Sequence, residues 1–109
     1  MNFSATIEAA ANQLSQEKEQ RFTTVMKRGS MIVEYYAPKE KDLQTPHRQD
    51  ELYVIANGKG IFNRDGEKVQ CKTGDVLFVP AGMKHHFESF TSDFATWVIF
   101  YGPEGGETE

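Results

Sequence analysis

From Phe22 to Tyr101 the chain is a succession of short runs rich in β-branched and aromatic residues, each closed by a turn signal. That pattern leaves little choice of architecture, because runs this short form strands and not helices. It predicts strands at Phe22–Lys27, Met31–Ala37, Glu51–Ala56, Gly60–Phe62, Lys68–Cys71, Asp75–Val79, Lys84–Phe90 and Thr96–Tyr101. Asn57-Gly58 and Asp65-Gly66 are the strongest turn pairs, since glycine tolerates the positive φ that tight turns demand. Eight closely spaced strands must either close on themselves or pack as two sheets, which predicts an all-β barrel or jelly roll.

Only the N-terminus departs from this pattern. Phe3, Ile7, Ala10, Ala11 and Leu14 recur at helical spacing, with Ser4 placed to cap the first turn. The spacing predicts a helix of about three turns, ending in the charged stretch from Gln16 to Arg21. The resulting organisation is a helix and lead-in over residues 1–21, a β-domain over 22–102, and a flexible tail over 103–109 that lacks apolar residues. With 109 residues there is room for one domain.

Charge and cysteine usage narrow the partners. Sixteen acidic residues against twelve basic ones, interleaved along the chain, give a net charge of −4 and no basic stripe, so nucleic acid is excluded as a partner. No apolar run is long enough for a membrane-spanning helix, and the first residues carry no secretory pattern. Cys71 is the sole cysteine, which removes disulfides and thiolate metal cages and fits a reducing cytoplasm. It reads as a structural residue.

The three histidines, His47, His85 and His86, carry the chemistry. If the segment from Thr45 to Glu51 is extended, Thr45, His47, Gln49 and Glu51 share one face with Tyr53 and Ile55. A carboxylate on a face that is otherwise core-like needs a cation, a donor or a metal. Either Glu51 hydrogen-bonds His47 at a rim, or the two hold an ion. After the strand at Asp75–Val79, the turn Pro80-Ala81-Gly82 leads to His85 and His86, which must point to opposite faces. His85 shares parity with Phe87 and His86 with Glu88, so His85 is expected inside and His86 outside. His85 is then either a satisfied pocket histidine or a third ligand.

These residues resemble the cupins. His47 takes the second histidine position of the first cupin motif, with Glu51 three residues on and Gly58 six further. Gly74, Pro80, Gly82 and His85 match the second motif position by position. The end of the chain, from Asp93 to Glu104, also looks like small single-domain cupins. The departures are Thr45 in place of the first histidine, Lys39 in place of the leading glycine, and Ser89 in place of the closing asparagine.

The resemblance implies a double-stranded β-helix, or jelly-roll barrel, with a short N-terminal helix. It also implies a site reduced from three histidines and a glutamate to His47, Glu51 and His85. Such a set suits a divalent cation (zinc, iron, manganese or nickel) with open coordination positions. By parity the pocket is completed by Thr45, Gln49, Tyr53, Ile55 and Phe87, with Trp97 and Ile99 from the last strand and Tyr35 beside them. Gln44 and Gln49 are weaker oxygen donors. A small organic ligand and a homodimer are the partners the resemblance implies.

Two functions compete. One is a metal-binding cupin that, if an enzyme, is an oxygenase or isomerase. The other is a non-catalytic module that binds or senses a small molecule without metal. A third outcome is a structural protein in which the motif residues are relics. The inward face shows no further general base beyond the proposed ligands, and the sequence names no catalytic residue.

Overall fold

The computed structural model describes residues 3–17 and 20–108. Its helix, α1, spans Ile7–Ser15. It begins later than the apolar spacing suggests: the cap is Thr6 and not Ser4, and the Thr6 hydroxyl accepts the Ala9 N–H at 3.0 Å. Phe3 lies outside the helix and is 91% exposed. Ala10 and Leu14 form the buried face. Of the charged stretch that follows, Lys18 and Glu19 lie outside the described residues.

All eight expected strands form, with ends shifted by a residue or two. They are β1 (Phe22–Arg28), β2 (Met31–Tyr36), β3 (Asp50–Asn57), β4 (Lys59–Arg64), β5 (Glu67–Lys72), β6 (Val76–Val79), β7 (His85–Glu88) and β8 (Ala95–Tyr101). They make a five-stranded sheet in the order β1-β2-β8-β3-β6 and a three-stranded sheet in the order β5-β4-β7, every pairing antiparallel. This is the jelly-roll barrel the strand pattern predicts.

Asp65-Gly66 makes the hairpin between β4 and β5, with φ of +50° and +93°, as a two-residue turn with a right-handed twist requires. Asn57-Gly58 has a different task. It carries the chain from one sheet to the other, since β3 and β4 do not pair.

Two apolar clusters result. The interior draws on both sheets: Tyr36, Tyr53, Ile55, Val98 and Phe100 meet Phe62, Phe87 and Cys71. Cys71 is buried there and its thiol donates to the Gly60 carbonyl. The second cluster lies under α1, where Ala10 and Leu14 cover Tyr35, Ala56 and Ala95, with Trp97 packed alongside. The helix therefore gives the five-stranded sheet a second buried face.

The tail, expected to be loose, is tied down at both edges of a turn. The Gly105 N–H donates to the Arg48 carbonyl at 2.7 Å, and the Glu107 N–H donates to the Asp50 carboxylate at 2.9 Å. The other Asp50 oxygen accepts the Ala81 N–H at 2.9 Å, so one buried carboxylate joins β3, the Pro80–Gly82 turn and the tail.

Gly58 tests this connection between sheets. Its φ is +79°, and a Cβ there would stand 2.8 Å from Asp93 Oδ1 and 3.0 Å from Phe94 Cα. Gly58→Ala should therefore cost about 1–3 kcal/mol from backbone strain alone. Urea unfolding followed by circular dichroism would measure the loss.

Candidate metal centre

The alternation of β3 sets the floor of the site. Glu51, Tyr53 and Ile55 face the interior, while Leu52 and Val54 face outward and are only half-buried. Glu51 pairs with Val79 on β6 and Phe100 on β8, both buried, so its carboxylate is enclosed by apolar neighbours and the residue is 1% exposed. On β7, His85 and Phe87 are buried and His86 and Glu88 are not, as parity predicts. His86 Nε2 lies 2.8 Å from Glu88 Oε2 on the outer face. Lys68 and then His86 hold the Glu88 carboxyl down to about 2.

His47 arrives differently. It lies on an irregular segment before β3, and its carbonyl accepts the Gly82 N–H at 2.7 Å. That bond fastens the His47 segment to the turn that delivers His85. The His47 ring packs on Phe100 at 4.6 Å between centroids and stands 6.1 Å from the His85 ring.

The three side chains converge: one ligand atom each from His47, Glu51 and His85 lie within 4.8 Å of one another. A single cation with bonds of about 2.0–2.2 Å could take all three after a small closure. His85 Nδ1 donates to the Met83 carbonyl at 2.8 Å, which leaves Nε2 aimed at Glu51 with its lone pair available. The Nε2 atom lies 2.9 Å from Glu51 Oε1, yet neither it nor Glu51 Oε2 has a partner in hydrogen-bond geometry. Two buried polar atoms left unpartnered at one point are costly, and an ion between them would satisfy both.

The histidines are tuned in opposite directions. Desolvation pulls the His47 imidazole below its ordinary value, more than Glu51 raises it, and His85 lowers it further. It is thus kept neutral, the form that ligates. For His85, desolvation also acts downward, but Glu51 at 2.9 Å, the Met83 carbonyl and the charge of Asp42 together raise it.

Around this cluster the structure redraws part of the pocket. Tyr53, Ile55 and Phe87 are buried in the interior cluster beside the histidine and the glutamate. A cavity of about 410 Å³ opens next to His47, lined by Glu34, Tyr36, Gln44, Thr45 and Val98 among others. Thr45 reaches it as an exposed rim residue and not as a strand residue, because the extended strand starts only at Asp50.

Gln49 does not line the pocket. Its amide donates to the Ser30 and Gly102 carbonyls at 2.7 and 2.9 Å. Trp97 and Ile99 are also misplaced by parity: Val98 and Phe100 face the interior, and Trp97 turns to the helix side with Tyr35, edge-on at 5.2 Å. Both faces of β8 are apolar because α1 buries one of them, so hydrophobicity alone does not say which is inside.

Two carboxylates escaped sequence reasoning. Asp42 accepts four hydrogen bonds, from the Tyr36 hydroxyl, the Gln44 N–H and amide, and the Phe87 N–H. Gln44 in turn accepts the Tyr53 hydroxyl at 2.8 Å, so its amide is engaged and is no free donor of oxygen. Glu34 lies on the inner face of β2, opposite buried Val98, where the sequence showed no further acid or base. Its signal was present in the parity of Ile32, Glu34 and Tyr36, masked because Val33 and Tyr35 on the alternate face are apolar as well.

Known proteins resemble this chain in sequence and shape. The sequence profile of the family described as "Cupin domain" matches residues 31–101. An uncharacterised protein of Streptomyces coelicolor is 38% identical over 63 residues, covering 58% of this chain and 60% of that protein. An acireductone dioxygenase of Picosynechococcus is 35% identical over 88 residues, covering 66% of this chain and 50% of the enzyme. The chain thus spans about half to three fifths of the length of these relatives. A crystal structure of a Rhizobium leguminosarum protein of unknown function superposes with a TM-score of 0.73 at 21% identity, covering 94% of this chain and all of that one.

The raised His85 gives the metal-free protein a defined pH dependence. Its protonated form is favoured by folding, so its contribution is complete below the unfolded value near 6.5 and is lost as pH rises through the higher folded value. Melting of chelator-treated wild type beside His85→Gln, from pH 6 upward, should show the wild type's advantage shrinking as pH increases.

Proposed function

Because this chain belongs to the cupin family, we propose that it holds one divalent cation with His47, Glu51 and His85 and presents it to a small organic ligand. The observation that carries the proposal is the pair of buried, unpartnered atoms, Glu51 Oε2 and His85 Nε2, within a cluster that includes neutral His47. Two imidazoles and one carboxylate leave coordination positions open, as reactive and exchangeable sites do.

When bound, a cation in such a donor set supplies Lewis acidity to a carbonyl or carboxylate oxygen, and as iron(II) it supplies redox chemistry toward dioxygen. The chain's own residues do the rest. Glu51 and His85, anchored on two strands, set the depth of the site. His47, fastened to the Pro80–Gly82 turn, stands at its mouth. The cavity of about 410 Å³ admits a small molecule to that mouth. Tyr53, Phe62 and Phe87 wall off the interior side and exclude water.

The likeness to an acireductone dioxygenase supports oxygenase chemistry over the metal-free binding module. Thr45 in place of a third histidine argues for weaker, exchangeable metal. A cytoplasmic location and a homodimer belong to the same proposal. Val69, Val76 and Phe78, exposed on β5 and β6, are apolar side chains a second copy would cover.

The test is elemental analysis of protein purified without an affinity tag or chelator, beside His85→Ala. The wild type should carry close to one equivalent of metal and the variant essentially none. At a zinc concentration a hundred times its dissociation constant, the wild type should gain about 2.7 kcal/mol of stability, seen as a raised melting temperature that the variant lacks. No metal in the wild type, even after anaerobic iron(II) or zinc(II) addition, would refute the reading.

A further inference from the structure

Three carboxylates reach the region of the site, and they are used differently. Glu51 belongs to the convergent cluster with the histidines. Asp42 is saturated by four donors and acts as a brace between β2, β7 and the segment leading to His47. Glu34 is neither.

Its place is set by register. Glu34 pairs with Val98 on β8 and Thr24 on β1, and shares its face with Ile32 and Tyr36, which pack in the interior cluster. It is half-buried and lines the same cavity as His47, Tyr36, Gln44 and Val98. Among the described residues no side chain gives it a hydrogen bond or an ion pair. Arg21, at the rim of the same cavity, directs its Nε to the Ala37 carbonyl. Desolvation first, then the charge of Glu51, raises the proton affinity of Glu34.

An unpaired, partly desolvated carboxylate on a cavity wall lowers its energy by accepting a hydrogen bond, and it repels anions. No described side chain of the walls bonds it, so its oxygens stay free to accept from a ligand that enters the cavity. We propose that Glu34 is a specificity-determining residue that accepts a hydrogen bond from an O–H group of a small chelating ligand. The ligand class is a hydroxy-carbonyl compound that enters neutral or singly charged, with one oxygen toward the His47–Glu51–His85 cluster and its hydroxyl toward Glu34. Chelators whose oxygens are all anionic are disfavoured by the same charge. The assignment rests on the metal-site reading and names the ligand chemistry of that site.

The experiment uses two probes of similar size on zinc-loaded full-length protein: acetohydroxamic acid, a carbonyl chelator with an O–H, and oxalate, which has carboxylates alone. Zinc content is measured first, then both probes are titrated calorimetrically into wild type and Glu34→Gln at neutral pH. The variant should keep its zinc and its fold, bind acetohydroxamic acid more weakly and bind oxalate more tightly. The ratio of the two affinities should change by about tenfold or more, the size of one charge-assisted hydrogen bond.

A second variant, Glu34→Ser, should shift the ratio in the same direction, which guards against a folding defect in either. Equal changes for both probes, or none, would overturn the role of Glu34 while leaving the metal centre standing. Failure of the loaded wild type to bind either probe would overturn it too. Failure of the wild type to take up zinc at all would remove the metal-site reading and the assignment together.

Discussion

The contact on which this structure turns is the one between Glu51 and His85, 2.9 Å apart and almost wholly buried. A carboxylate in an apolar interior is destabilising unless its charge and lone pairs are met. Here they are met only in part, because Glu51 Oε2 and His85 Nε2 lack partners in hydrogen-bond geometry. A chain selected for stability alone could fill this space with packed apolar side chains at lower cost. The proposed cation would satisfy both members of the pair at once.

The rest of the barrel holds that pair, and His47 opposite it, in place. Asp50 joins β3, the Pro80–Gly82 turn and the C-terminal tail through two backbone N–H groups. Asp42 ties the approach to His47 to β2 and to the backbone of Phe87, two residues beyond His85. Gly82 and His47 are linked directly through the backbone. Three ligand atoms from two strands and a loop therefore converge through hydrogen bonds made by neighbouring residues, a division of labour between support and ligation common at metal centres.

How much of this was legible in the sequence depends on which faces are buried. Parity read correctly on β7, where His85 and Phe87 alternate with polar His86 and Glu88, and on β3, where Glu51, Tyr53 and Ile55 lie inside. It failed on β8. Trp97 and Ile99 are as apolar as Val98 and Phe100, and α1 supplies a second buried face that alternation does not reveal. Gln49 was misplaced because the strand was extended too far back: the chain before Asp50 is irregular, with long-range bonds to Ser30, Gly102 and Gly82, and Thr45 reaches the cavity from that irregular segment rather than from a strand. The tail looked loose for a related reason, since its order comes from Arg48 and Asp50, far away in sequence. Asp42 carried no spacing signal, and that of Glu34 was masked by the apolar residues on the other face of β2, so both became visible only in the fold.

Anomalous diffraction from zinc-soaked crystals would show whether one cation occupies the point where His47, Glu51 and His85 meet. The expected result is a single strong anomalous peak at bonding distance, about 2.0–2.2 Å, from one atom of each of the three residues. A peak elsewhere, or an empty centre with the 2.9 Å contact between Glu51 and His85 unchanged, would contradict it.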